Sequence, residues 1–346
     1  MSQFVHLHLH TQYSVLDGAN KIKEVVKKAA EYKQQAIGMT DHGNMHGAVE
    51  FYQECKANQI KPIIGCEVYV TPGSRFDRVM KSRGGDGTNH LTLLAMNYEG
   101  YQNLSRLVTL AYKEGFYFKP RVDHELLRRY NKGIICLSGC LAGELGRFAL
   151  SDDFEAAKNI VEMYSSIFKD RYYLELQPHQ IPEQQKLNKL AKELAKDVGL
   201  PLVATNDCHY INEDDHFAQE VLMCISTAKL ITDPTRIQHV GVKLHFREES
   251  EMMREMLGSE EAVKQTYEIA NRCNLEFDFN TYYMPKFEVH EETLDEHFER
   301  VAREMLRSWL ATRDISNGIT EDVYWSRLEE EIKLIIQMGF AGYFLV

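Results

Sequence analysis

His6, His8 and His10 alternate with Leu7 and Leu9 near the start of a chain of 346 residues. A repeat of two is that of a β-strand, so the histidines should share one face and the leucines the other. Neutral imidazole is the commonest metal ligand among side chains. From this stretch alone, a metal platform and a solvent-facing strand rich in histidine stand level. Other ionisable and soft residues lie where apolar runs end: Asp41 and His42 close residues 36–42, Glu67 comes late in 61–70, Cys140 ends 133–140, and Asp207 and His209 end 200–210. Asp17 follows the first run, and His90 opens the run 89–96. Asp207 and His209 repeat the alternate spacing of His8 and His10.

His8, His10, Asp17, His42, Glu67, His90, Cys140, Asp207 and His209 make nine candidate ligands, more than one ion requires. A carboxylate such as Glu67 can bridge two cations, so a cluster of two or three divalent ions is the economical expectation. Imidazole-rich sites suit zinc, iron or manganese, and the carboxylates disfavour none of these; magnesium alone fits less well. Taken singly, a strand-end His or Asp is more often a hydrogen-bonding group, and Cys140 a buried filler. Coincidence across five strands argues for a site. Asp41 is expected to cap a helix or to orient His42, and His6 is left outside the ligand set. Such a multinuclear site suits hydrolysis at phosphorus, with these nine side chains as its machinery.

Basic residues could steady phosphates. Residues 75–85 supply Arg75, Arg78, Lys81 and Arg83, and residues 115–121 interleave Lys119 and Arg121 with Phe116, Tyr117 and Phe118. Aromatic and basic residues together suit single-stranded nucleic acid. A solvated loop and a packed aromatic turn is the plainer expectation.

The elements that must position these residues alternate strand and helix. Runs at 5–10, 36–42, 61–70, 89–96, 133–140, 171–177 and 200–210 read as strands. Helical spacing appears at 21–33, 46–58, 99–114, 153–168 and 182–198, with Gly199 as a C-cap. This alternation predicts a parallel sheet, either an open doubly wound one or a barrel, with the site at the carboxyl ends of the strands. His90 sits at the wrong end of its run, so its strand boundary is misplaced or that strand runs against the others. After residue 212 the pattern changes to helices at 213–230, 248–273, 293–313 and 321–338, with an extended connector at 280–292.

Composition fits a globular protein: 44% hydrophobic and 26% charged residues. No apolar run has the ~18 residues of a membrane span, and the start lacks the pattern of a signal peptide. Seven scattered cysteines without a C-x-x-C pair argue against a disulfide framework, so a cytoplasmic location is expected. A net charge of −11 speaks weakly against coating of duplex DNA.

Several segments, taken together, resemble the PHP (polymerase and histidinol phosphatase) domain: HLHLHTQYSVLDGA, MTDHGNMHGAVEFY, IKPIIGCEVYV, NHLTLLAMNYEGYQNL, GFYFKPRVD, LSGCLAGEL, YLELQPH and ATNDCHY. The form resembled is that at the N-terminus of bacterial replicative DNA polymerase III alpha subunits; EIANRCNLEFDF, MPKFEV and IIQMGFAGYFLV resemble the run into the polymerase palm. The resemblance implies a distorted (β/α)7 barrel at about 1–212, a helical extension at about 213–285, and the truncated start of the palm region at 286–346. It implies one ion held by His8, His10, Glu67 and Asp207, a second by Glu67, His90 and Cys140, and a third by Asp17, His42 and His209. It further implies a zinc-, manganese- or iron-dependent 3′→5′ proofreading exonuclease, with DNA, the rest of the polymerase and other replisome subunits as partners. No D-x-D occurs in the 346 residues, so the chain is not expected to polymerise DNA. A metal-stabilised scaffold and, less favoured, a small-molecule phosphatase of the histidinol-phosphate type are the alternatives.

Overall fold

The computed structural model describes residues 2–78, 87–238, 240–281, 283, 285–313, 315 and 319–346. It divides into two compact units, Met1–Phe277 and Asp278–Val346. In the first unit, β1 (Ala36–Met39), β2 (Lys61–Val70), β3 (Asn89–Ala95), β4 (Arg121–Val122), β5 (Ile134–Leu137), β6 (Tyr172–Leu176) and β7 (Leu202–Ala204) form one curled sheet. Its order is β1-β2-β3-β5-β6-β7, with β4 joined to β2.

The histidine-bearing segment closes this sheet. It is extended but makes no continuous ladder, because it shares its bonds between the two ends. On one side Gly38 N donates to His6 O (2.6 Å) and Thr40 N to Leu9 O (2.8 Å); on the other His10 N donates to Cys208 O (2.8 Å) and Cys208 N to His8 O (3.0 Å). The result is the distorted barrel, with the N-terminal segment as its closing stave.

The sheet is not all parallel, contrary to the alternation in the sequence. β3 runs antiparallel to both β2 and β5, and pairs His90 with Tyr69 late in β2. That reversal brings His90 to the same end as the other candidates. The described residues of the connection from β2 to β3 hold no crossover helix, and an antiparallel neighbour needs none.

Helices α1 (Ile22–Glu31), α2 (Ala48–Ala57), α3 (Tyr98–Lys113), α4 (His124–Arg129), α5 (Glu144–Ser151), α6 (Phe154–Phe168) and α7 (Pro182–Val198) cover the barrel. In α1, Ile22, Val25, Val26 and Ala29 are buried, the face that the spacing predicts. α7 ends at Gly199, which takes φ +74°, as a C-cap glycine should. The short helices α4 and α5 and the two-residue β4 escape periodicity for want of length. Beyond the barrel come α8 (His216–Thr227), α9 (Glu249–Glu255) and α10 (Glu260–Arg272). The single helix expected at 248–273 is thus two, interrupted where Gly258 adopts φ +79°. The second unit contains α11 (Leu294–Ala311), α12 (Glu321–Gln337) and α13 (Ala341–Leu345) around Phe298, Ile332 and Ala341. Among the described residues, no helix is long and apolar enough to cross a membrane.

Candidate metal centre

All nine sequence candidates gather at one end of the barrel. His8 and His10 project from the closing segment, and Glu67 rises from β2 between them and the loop after β1. His8 Nε2 lies 3.2 Å from Glu67 Oε1 and 3.3 Å from Asp207 Oδ1, and His10 Nε2 lies 3.1 Å from Asp207 Oδ1. Glu67 Oε2 meets His42 Nδ1 at 2.7 Å and His90 Nδ1 at 2.9 Å. His42 Nε2 faces Asp17 Oδ2 at 3.3 Å, and His209 Nε2 faces the same oxygen at 3.8 Å. Cys140 Sγ stands 3.9 Å from His90 Nδ1. Three groupings converge within 4.8 Å: His8–His10–Asp207, His42–Glu67–His90 and His10–His42–His209.

These residues fit divalent cations on the chain's own evidence. His8 Nε2, His10 Nε2, Asp17 Oδ1, His42 Nδ1, both Glu67 oxygens and Asp207 Oδ1 are buried without hydrogen-bond partners. Leaving one such atom without a hydrogen bond costs about 1–3 kcal/mol; the imidazole–carboxylate contacts offset part of that cost, and a cation shared by these atoms would offset it too. Donor atoms that share an ion at about 2.0–2.2 Å stand roughly 3.0–3.5 Å from one another, near the spacings seen here.

The opposite ring nitrogens are fixed. His8 Nδ1 donates to Glu175 Oε1 (2.7 Å), whose carboxylate also accepts from Thr205 Oγ1 and from Gly139 N (3.1 Å). His10 Nδ1 donates to Ser14 Oγ (3.1 Å), and Ser14 Oγ donates to Asp41 Oδ1 (2.7 Å). His209 Nδ1 donates to the Asp207 carbonyl at 2.8 Å. In all three, the proton on Nδ1 leaves Nε2 as a lone pair turned into the site.

Electrostatics agree. Burial alone would raise the Glu67 carboxyl, but His90, His42 and His8 hold it well below the usual range. Asp207 is also buried, yet His8, His209 and His10 hold it well below. Burial opposes protonation of His42, yet Asp17 and Glu67 lift it to about 10. Burial, with His42 and His209 beside it, presses His10 down to about 3. Cation-free, the chain supplies by protonation the positive charge that these carboxylates attract. Burial pushes the Cys140 thiol well up, so only a cation would make it a thiolate ligand.

Some expectations change. Asp41 orients His10 through Ser14, and also accepts from Thr11 N at 2.6 Å, rather than turning the His42 ring. Asp207 and His209 lie beyond β7, not on it, and Asp207 adopts φ +51°. Arg75 is not a solvated phosphate contact: it is buried and bonded to Glu114 (2.7 Å), Asp123 (3.0 Å) and Glu125 (2.7 Å). Arg121 is likewise buried, its guanidinium held by the carbonyls of Gly115, Arg75 and Asp77. Lys81 and Arg83 lie outside the described residues. The turn at 115–121 is not packed as expected, because Phe116 and Phe118 are exposed. Glu175 was missed, although a carboxylate inside the run YYLEL is a signal that a buried strand needs a partner for it.

A cleft of about 370 Å³ opens over Asp17, His42, His90, Cys140, Asp207 and His209. Leu141, Ile181, Val240 and Leu244 line its apolar side, and Gln177 and Gln184 its polar side. It has room for a phosphorylated group with one face against hydrocarbon.

Residues 6–179 match the PHP domain family. Over 359 aligned positions the chain is 43% identical to the DNA polymerase III subunit alpha of Aquifex aeolicus, covering 99% of this chain and 30% of that protein. It is 40% identical over 345 positions to the subunit of Treponema pallidum, covering 99% and 29%. The chain therefore spans about 30% of the length of these relatives. Among solved structures, a two-domain protein of Bacteroides vulgatus, described as containing a predicted PHP-like metal-dependent phosphoesterase, aligns over 60% of this chain and 52% of its own at 14% identity and a TM-score of 0.37. With a family match running from His6 in the closing segment to His179 beside the cleft, the chain belongs to the PHP domain family.

Proposed function

We propose that this chain is a metal-dependent phosphodiesterase that removes nucleotides from 3′ ends of DNA, as the PHP portion of a replicative polymerase alpha subunit. Residues 1–285 form that portion in this reading, and 286–346 begin the polymerase region. DNA, the remaining polymerase and the replisome are its partners, in the cytoplasm. The observation that carries it is the convergence of seven buried donor atoms without hydrogen bonds at the end of the barrel where the cleft opens.

His8, His10, Glu67 and Asp207 would hold one divalent ion, Glu67 with His90 and Cys140 a second, and Asp17, His42 and His209 a third. Bound zinc, manganese or iron would acidify a water and neutralise charge developing on a phosphoryl group. The chain's own part is orientation. Glu175 and Ser14 fix the tautomers of His8 and His10, and the apolar wall at Leu141 and Ile181 offers a base or sugar a surface from which water is excluded.

Digestion of a 3′-labelled single strand, with manganese or zinc added, tests the reading. Wild type should shorten the strand from its 3′ end, and His10→Ala and Asp207→Asn should each lose more than about a hundredfold in rate, beyond the 10- to 100-fold typical of losing a supporting group. Equal rates in wild type and variants would falsify it. Metal-dependent stabilisation without turnover would instead favour a scaffold role. Faster turnover of a small phosphomonoester than of the strand would favour the small-molecule phosphatase.

A further inference from the structure

Phe118 is 67% exposed and adopts φ +59°, a left-handed conformation that is costly for a residue with a Cβ. It sits at the tip of a tight turn in which Tyr117 N donates to Lys119 O at 3.1 Å. Buried Arg121 holds the base of the turn through the Gly115 carbonyl. The protein thus keeps a strained backbone in order to present an aromatic ring to water. Phe116, 51% exposed, stacks on exposed Tyr112 with centroids 6.1 Å apart. Exposed Phe76 joins the same corner, because Arg121 also bonds the carbonyls of Arg75 and Asp77 on either side of it. Four exposed aromatics in one patch are more than scattered surface residues.

The corner abuts the metal centre. Lys119 Nζ lies 4.4 Å from the centre of the Tyr69 ring, and Tyr69 contacts His90 (5.2 Å) and His42 (6.0 Å). The charge of the corner is nearly even, with one cation in excess: segments 75–78 and 112–125 carry Arg75, Arg78, Lys113, Lys119 and Arg121 against Asp77, Glu114, Asp123 and Glu125, and Arg75 binds the last three of these carboxylates.

We infer that Phe76, Tyr112, Phe116 and Phe118 form a stacking platform for the unpaired bases of a single DNA strand whose end enters the metal-lined cleft. Duplex DNA, with its bases already stacked, offers this surface little. The inference extends the phosphodiesterase reading to how the strand is held, but its test needs no turnover.

The probe is a fluorescein-labelled twelve-residue oligothymidylate, read by anisotropy in EDTA so that nothing is hydrolysed. Wild type should bind it more tightly than a duplex of equal length. Phe116→Ala and Phe118→Gly should each weaken binding by about tenfold, within the range of lost base stacking. Phe118→Gly also separates binding from folding, because glycine accepts the left-handed backbone: its Tm should hold or rise while affinity falls. Equal affinity in wild type and variants, a Tm that falls together with affinity, or no binding by wild type would each overturn the inference. The last outcome would leave a protein partner as the occupant. Strand binding in EDTA without any metal-dependent hydrolysis would support the platform while counting against the enzyme.

Discussion

His6 and His8 are two residues apart on one extended segment, and both are fully buried. Their surroundings differ. His6 packs against Phe4 and Phe246, its Nε2 bonds the Arg247 carbonyl at 2.9 Å, and its Nδ1 meets Cys208 Sγ at 3.1 Å. Both of its nitrogens are satisfied. His8 has only Nδ1 satisfied, and its Nε2 faces two carboxylates with no hydrogen bond. Alternation in a strand fixes which face a side chain takes, not what waits there. A core histidine and a candidate ligand can therefore follow one another in the same pattern.

The sharpest way to break this comparison is to remove the carboxylate that four of the site's imidazoles share, those of His8, His10, His42 and His90. Glu67→Gln should lower affinity for zinc or manganese by more than about a hundredfold, since even groups behind the ligands are worth 10- to 100-fold. At an ion concentration about 100 times the wild-type Kd, the ion should stabilise wild type by roughly 2.7 kcal/mol and the variant by almost nothing. Tm with and without metal measures both. His6→Ala should lower the metal-free Tm by opening a cavity and keep the full metal-induced rise. Loss of that rise in His6→Ala would erase the distinction between the two histidines.

A smaller effect tests orientation. Glu175 fixes His8 without being among the proposed ligands, so Glu175→Gln should weaken metal binding by about 10- to 100-fold while the ion count at saturation stays unchanged. Isothermal titration reads both quantities. A fall in stoichiometry would make Glu175 a ligand and redraw the first ion's set.

The same contrast explains what could be read from the sequence. The helix faces, the long strand β2 and the nine candidates lie in local spacing and residue type, and the fold brings all nine together. The reversal of β3 was visible only as a misfit at His90, because strand direction depends on which neighbour pairs, a non-local fact. Arg75 and Arg121 have the composition of a phosphate-binding loop, yet their role is set by Glu114, Asp123 and backbone carbonyls that no local window contains. Glu175 is the reverse case: a lone carboxylate in an apolar strand marked the need for a partner, and only the fold could name His8. The exposure of Phe118 is the less favoured of the two readings that residues 115–121 allow, since aromatic residues in a turn read as packing until the backbone is seen to point them outward.

Acidity separates the two histidines by sign, with the smallest effect. Burial pushes His6 down to about 3, so the unfolded chain binds a proton that the folded one refuses. Its contribution is complete above the unfolded value near 6.5 and drains as pH falls toward 3. His42, lifted to about 10, behaves oppositely: its contribution is present below 6.5 and is lost as pH rises through 10. In chelated protein, the stability of wild type relative to His6→Gln should therefore fall by about 1 kcal/mol between pH 6 and pH 5, a shift of a few degrees in Tm. The alkaline limb belongs to the cation-free centre, and saturating metal should flatten it, because an ion then supplies the charge that His42 carried as a proton. An acid limb unchanged by His6→Gln would mean that His6 is protonated in the folded state, with the Arg247 carbonyl and Cys208 as partners of an imidazolium. An alkaline limb that survives saturating metal would mean that the ions do not displace the His42 proton, and His42 would leave the ligand set.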